Sequence, residues 1–101
     1  MLILIPAYEP DATLPQLVND LLALRPDLGV LVIDDGSGNA YAPIFTAVTA
    51  AGASVITSAQ NHGKGHALKL GFAEAMRSYP GSDVVTADAD GQHAIADIIA
   101  V

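Results

Sequence analysis

Cysteine is absent from the 101-residue chain, so neither a disulfide framework nor a thiolate-held metal is available to it. That absence fits a reducing, cytoplasmic setting. Positive charge is almost as scarce: Lys and Arg number 4 against 11 Asp and Glu, for a net charge of -7. A polyphosphate backbone is gripped by clustered basic side chains, so nucleic acid is excluded as a partner. The basic residues are Arg25, Lys64, Lys69 and Arg77, three of them within one short segment. An anionic ligand must therefore meet that segment or a bridging cation. No apolar run approaches the ~20 residues of a membrane span, and the apolar start at Met1–Ile5 lacks the basic flank of a signal peptide. Glycine is missing where a dinucleotide-binding loop needs it, directly after the first strand, because Pro6-Ala7-Tyr8-Glu9-Pro10 stands there.

What is present is a core-forming sequence of one small domain. Apolar residues make up 51% and charged residues only 15%, which leaves apolar surface for a partner or for more chain. Four continuous runs, Leu2–Ala7, Val30–Asp34, Ser54–Thr57 and Val84–Ala87, suit strands buried on both faces of a parallel sheet. Helical spacing fills the gaps between them. Leu14, Leu17, Val18, Leu21 and Leu22 share one face of a first helix, with Thr13 and Gln16 as a capping box, Pro15 in the first turn, and Pro26 and Gly29 as its close. A second helix spans about Pro43 to Ala51, with Ile44, Ala47, Val48 and Ala51 inward. A third spans about Gly65 to Tyr79, with Leu68, Phe72, Ala75 and Met76 inward. The alternation predicts an α/β fold, a doubly wound, Rossmann-like and mostly parallel sheet with right-handed crossovers. A last helix begins at Ala94, with Ile95, Ile98 and Ile99 at helical spacing. The chain ends at Val101 before that helix meets a partner, so residues 1–101 read as a fragment whose open sheet edge invites self-association.

Ligands of such sheets sit outside the carboxyl ends of the strands, and the polar residues gather there. Pro6-Ala7-Tyr8-Glu9 follows the first strand, Asp34-Asp35-Gly36-Ser37 the second, Asn61-His62-Gly63-Lys64-Gly65 the third and Asp88-Ala89-Asp90 the fourth. Two carboxylates one residue apart can turn toward a hard cation, Mg²⁺ or Mn²⁺, that keeps positions open for phosphate. Gln92 and His93 offer further donors in the same turn. The plainer alternative makes Asp88 and Asp90 helix caps. Asp34-Asp35-Gly36 is either an acidic turn or a carboxylate facing a base or ribose, with the inward one of the pair left open. Gly63, Lys64 and Gly65 open a helix whose N-terminus favours an anion, the alternative being an ordinary loop with a solvated lysine. Tyr8 and Glu9 line a base pocket or merely pack. His66 and Lys69 belong to the helix surface.

In order and spacing these segments resemble family 2 glycosyltransferases, above all the dolichyl-phosphate mannosyltransferase-like branch with its bacterial polyprenyl-phosphate glycosyltransferases. The resemblance covers essentially the whole chain and implies the nucleotide-binding half of a GT-A fold with a UDP- or GDP-sugar donor. It assigns the nucleoside to Pro6, Ala7, Tyr8, Glu9 and Asp34 or Asp35, the phosphates to Gly63 and Lys64, ribose and metal to Asp88, Ala89 and Asp90, and a third metal ligand to Gln92. In this reading Asp88 and Asp90 carry the catalytic cation. The branch also implies a lipid phosphate as acceptor and a site at the inner face of the membrane. Where many relatives carry Arg after the Asn of the third segment, this chain has His62. The acceptor half of the family lies beyond Val101, so donor binding without transfer is the expectation for these residues. Two rivals remain: a non-catalytic nucleotide-sugar-binding module, and a haloacid-dehalogenase-type phosphatase built on Asp88-Ala89-Asp90-Gly91. In those phosphatases the motif follows the first strand, not the fourth.

Overall fold

A computed structural model describes residues 1–89; positions 90–101 lie outside the described residues, and with them the expected final helix, Asp90, Gln92 and His93. The elements run β1 (Leu2–Ala7), α1 (Thr13–Leu24), β2 (Gly29–Asp35), α2 (Ala42–Ala50), β3 (Ser54–Ser58), α3 (Lys64–Ser78) and β4 (Val84–Thr86), with a 3₁₀ turn at Asn39–Tyr41 before α2. The four strands form one parallel sheet in the order β3-β2-β1-β4. The sheet grows outward from β1 to β3, and the chain then crosses to the far side of β1 to add β4. That reversal beside β1 is the doubly wound topology expected from the alternation of elements.

Strand residues alternate between two apolar layers, as a two-residue side-chain period requires. Ile3, Ile5, Val30 and Val32 pack against Leu14, Leu17, Val18 and Leu21 of α1 and Phe45 and Val48 of α2. Leu2, Leu4, Leu31 and Ile33 pack against Ala67 and Ala75 of α3. Both faces of β1 and β2 are thus covered, which is why those runs are continuous rather than alternating in sequence.

Helix faces agree less well with their periodicity. The buried positions of α3 are Ala67, Gly71 and Ala75, whereas Phe72 is 42% and Met76 81% exposed. The helix lies too close to the sheet for large residues: the Leu4 side chain fills the space that a side chain at Gly71 would need. Phe72, Met76, Tyr79, Pro80 and Val84 instead line a shallow groove between α3 and β4. In α2 the buried residues are Phe45 and Val48 rather than Ala47. The capping box is also corrected. Thr13 is the first residue of α1, and its N–H donates to Asp11 Oδ1 at 2.8 Å, while Gln16 Nε2 donates to Asp20 Oδ1. A carboxylate is a stronger acceptor than a hydroxyl and is favoured at a helix N-terminus. The hydrogen bond from Thr13 in turn holds the Asp11 carboxyl below its ordinary value.

Gly71 gives a direct test of this packing. A Cβ there would lie 2.3 Å from Leu4 Cδ1 and 3.0 Å from its Cγ, and Leu4 is fully buried. Gly71→Ala gains ~1 kcal/mol of helix propensity but meets an overpacking cost of ~1–3 kcal/mol. Thermal melts should show net destabilisation, larger still for Gly71→Val.

Candidate functional site

Register brings the strand ends level: Ala7 pairs with Asp34, and Asp34 with Thr57. On the other side of β1, Leu4 pairs with Thr86, and the Ala87 N–H still donates to Leu4 O at 3.0 Å. Asp88 therefore leaves the sheet beside Pro6, at the point where the strand order reverses and open α/β sheets bind their ligands. A cleft of about 380 Å³ lies there, lined by Pro6, Ala7, Tyr8, Asp35, Asn61, Gly63, Lys64, Asp88 and Ala89. Four loops from four strands meet in it.

The two adjacent aspartates divide their work by strand alternation. Asp35 shares a face with Leu31 and Ile33, the face that α3 covers, so its carboxylate meets the loop that enters α3. It accepts hydrogen bonds from Asn61 Nδ2 at 3.1 Å, His62 N at 3.0 Å and Gly63 N at 3.0 Å. Asn61 Nδ2 also donates to the Asp35 carbonyl. Asp34 shares the face of Val30 and Val32 and accepts the Ser37 N–H at 3.0 Å. It lies outside the cleft, in a groove with Asn39, Phe45 and Thr57. Both aspartates are buried. The Ser37 hydroxyl then accepts the Glu9 N–H at 2.8 Å, which ties the loop after β1 to the loop after β2. Glu9 takes φ 48, a left-handed backbone uncommon outside glycine, and its tie to Ser37 fixes that bend just past Tyr8.

Gly36 makes this closeness possible. Its φ is +73, and a Cβ would lie 2.3 Å from Asn61 N and from the Gln60 carbonyl carbon. The turn after β2 presses directly on the backbone of the loop before α3, and no larger residue fits between them. The same loop ends at Gly63, φ 93, which caps α3 and presents Lys64 as its first residue. Lys64 Nζ pairs with Asp88 Oδ1 at 2.9 Å across the cleft. The rings of His62 and His66 lie 4.7 Å apart on the outside of this turn.

Eight of the expected donor residues therefore converge: Pro6, Ala7, Tyr8, Asp35, Gly63, Lys64, Asp88 and Ala89 all line the cleft. Asp34 and the exposed Glu9 do not line it, and Asp90 and Gln92 lie outside the described residues. Asn61 joins the lining although its role as a clamp between Asp35 and the cleft was not singled out. The signal for it is the alternation that puts Asp35 on the α3 side. His66 and Lys69 are exposed on α3, as expected.

Residues 2–99 match the family model described as Glycosyl transferase family 2. The chain belongs to glycosyl transferase family 2. Its sheet is accordingly of the Rossmann-like GT-A type, and the phosphatase alternative has no further support. Among curated proteins, it is 34% identical over 98 residues to an undecaprenyl-phosphate 4-deoxy-4-formamido-L-arabinose transferase of Sodalis glossinidius (strain morsitans), with 90% of this chain and 29% of that protein covered. It is 35% identical over 98 residues to the protein of the same description from Shewanella sediminis (strain HAW-EB3), with 90% of this chain and 28% of that protein covered. The chain thus spans under a third of the length of these relatives.

Removing one acceptor should loosen the cleft selectively. Asp35→Asn puts a donor where N–H groups of the loop already point, at a cost of ~1–3 kcal/mol. Asp34→Asn retains an oxygen for the Ser37 N–H and should cost less. Amide exchange at His62 and Gly63 should accelerate about tenfold or more in Asp35→Asn and change little in Asp34→Asn; equal effects would contradict the division of roles.

Proposed function

We propose that the cleft binds the nucleoside diphosphate of a UDP- or GDP-sugar through a divalent cation, and that the protein transfers the sugar with inversion to a polyprenyl phosphate. The observation that carries this reading is the Asp88 carboxylate facing the Lys64 ammonium at the sheet's reversal point in a family 2 chain. The acceptor is inferred from the undecaprenyl-phosphate named in the relatives' descriptions. Because the chain spans 29% of such a relative, transfer belongs to the whole protein, and these residues are assigned the donor.

A cation suits the residues present. Lys64 is the one basic side chain among the described residues of the cleft, too little charge to hold a diphosphate alone. Asp88 already carries a cationic group at hydrogen-bond distance, the Lys64 ammonium. Mg²⁺ or Mn²⁺ would be held by Asp88, with Asp90 and Gln92 from the segment outside the described residues. Held by these residues, such an ion would stabilise negative charge on the departing diphosphate. Tyr8 and the backbone of Pro6 and Ala7 form the wall against which a nucleoside lies. Asp35 and Asn61 hold that wall's opposite loop in place, and Gly63 brings the N-terminus of α3 to the phosphates. The attacking oxygen of a lipid phosphate is already anionic, so its bond to the anomeric carbon forms as the bond to the diphosphate breaks, without a base to remove a proton. Such an acceptor places the reaction at a membrane surface, the cytoplasmic face where nucleotide sugars are met. No helix among the described residues is long and apolar enough to cross a membrane.

Thermal shift separates this reading from nucleotide binding without metal. UDP or GDP at ten times its Kd should raise the melting temperature by ~5–10 °C with Mn²⁺ or Mg²⁺ present and produce no comparable shift in EDTA. Equal shifts in both would remove the metal from the account.

A further inference from the structure

We propose that Lys64 is a positioning residue shared between Asp88 and the donor: it competes with the divalent cation for Asp88, and the cation's arrival hands it to the diphosphate. The inference rests on the metal-bridged donor site proposed above and specifies how that site couples its two ligands.

Three observations carry it. First, Lys64 Nζ lies 2.9 Å from Asp88 Oδ1, on a carboxylate expected to bind the ion. A single and a double positive charge ~4 Å apart repel by an amount equivalent to about tenfold or more in affinity even in water. The ammonium and the ion therefore cannot both keep close contact with this carboxylate at no cost. Lys64 is not the sole partner of Asp88, but it is a partner of the right charge to compete. Second, the Lys64 side chain is 64% exposed against 32% for Asp88, and a lysine carries its point charge on a flexible four-carbon stem. Its backbone, in contrast, is pinned: the preceding Gly63 N–H and His62 N–H are both held by Asp35. The ammonium can swing while its root stays at the cleft wall. Third, Lys64 is the one basic residue among the described cleft residues, so a diphosphate entering there has this ammonium as its nearest protein cation.

The consequence is a linkage of opposite signs. Without the ion, donor and Asp88 contend for one lysine, which weakens donor binding. With the ion on Asp88, the lysine is released to the phosphates, and each ligand favours the other. A lysine that merely contacts phosphate would show no effect on metal binding in the absence of nucleotide. A lysine that merely stabilises the loop would weaken both ligands when replaced.

The test uses the 101-residue chain and its Lys64→Met, Lys64→Arg and Asp88→Asn variants, with Mn²⁺ binding followed by electron paramagnetic resonance and UDP and GDP binding by calorimetry. Lys64→Met should bind Mn²⁺ alone about tenfold more tightly than the parent and should bind nucleotide at saturating Mn²⁺ about tenfold more weakly. Lys64→Arg, which keeps the charge, should stay near the parent in both. If Mn²⁺ affinity in Lys64→Met is unchanged or lower while Asp88→Asn abolishes Mn²⁺ binding, the competition is wrong and the metal site stands. If Asp88→Asn binds Mn²⁺ as the parent does, or no variant binds it, the metal site itself is wrong and the competition falls with it. Should Lys64→Met fail to fold, Lys64→Gln carries the same comparison.

Discussion

Asp35 accepts three hydrogen bonds from a loop more than twenty positions away, and the shape of the cleft depends on that grip. Charge-assisted bonds of this kind are roughly twice as strong as neutral ones, and two of the three act on the backbone itself. Gly36 lets the turn after β2 lie against Gln60 and Asn61; Asp35 then holds the loop in place, and Gly63 ends it at the first residue of α3. Lys64 reaches Asp88 only because this chain of contacts sets where α3 begins. Asp34 performs the matching task on the opposite face, through Ser37 to the backbone of Glu9. Two adjacent carboxylates thus hold two loops on two sides of one strand, and the space between the loops is the cleft.

The location of the cleft follows from topology. The chain crosses from β3 to β4 on the far side of β1, and beside that reversal the described residues leave a gap at the carboxyl edge. Asp88 and the Pro6–Tyr8 segment border that gap. The apolar layers above and below the sheet explain why the strand ends stay fixed: β1 and β2 are covered on both faces, so the polar loops are mounted on a rigid support.

Much of this was legible in the chain. All four strands stand within a residue or so of their expected bounds, but burial on both faces holds only for β1 and β2: β3 and β4, at the two ends of the strand order, are half-buried or exposed along their length. The order of elements implied the doubly wound sheet, and the four polar clusters implied convergence at one edge. Helix faces were harder. Periodicity marks where apolar residues recur, but close approach to the sheet selects Ala67, Gly71 and Ala75 over Phe72 and Met76, and closeness is a tertiary property. The roles of Asp34 and Asp35 were open as read, although alternation past Ile33 carries the answer. The capping of α1 turned on which acceptor reaches the Thr13 N–H, a local competition that Asp11 wins.

A cation and a nucleoside diphosphate are proposed to meet in the cleft between β1 and β4. Paramagnetic broadening of amide resonances by Mn²⁺ in the presence of UDP or GDP tests this proposal most directly. Strong broadening is expected at Ala7, Tyr8, Lys64 and Ala89 and little at Thr46, Thr49 and Thr57 in the groove beside β3. Broadening centred on that groove, or spread evenly over the acidic surface, would contradict it.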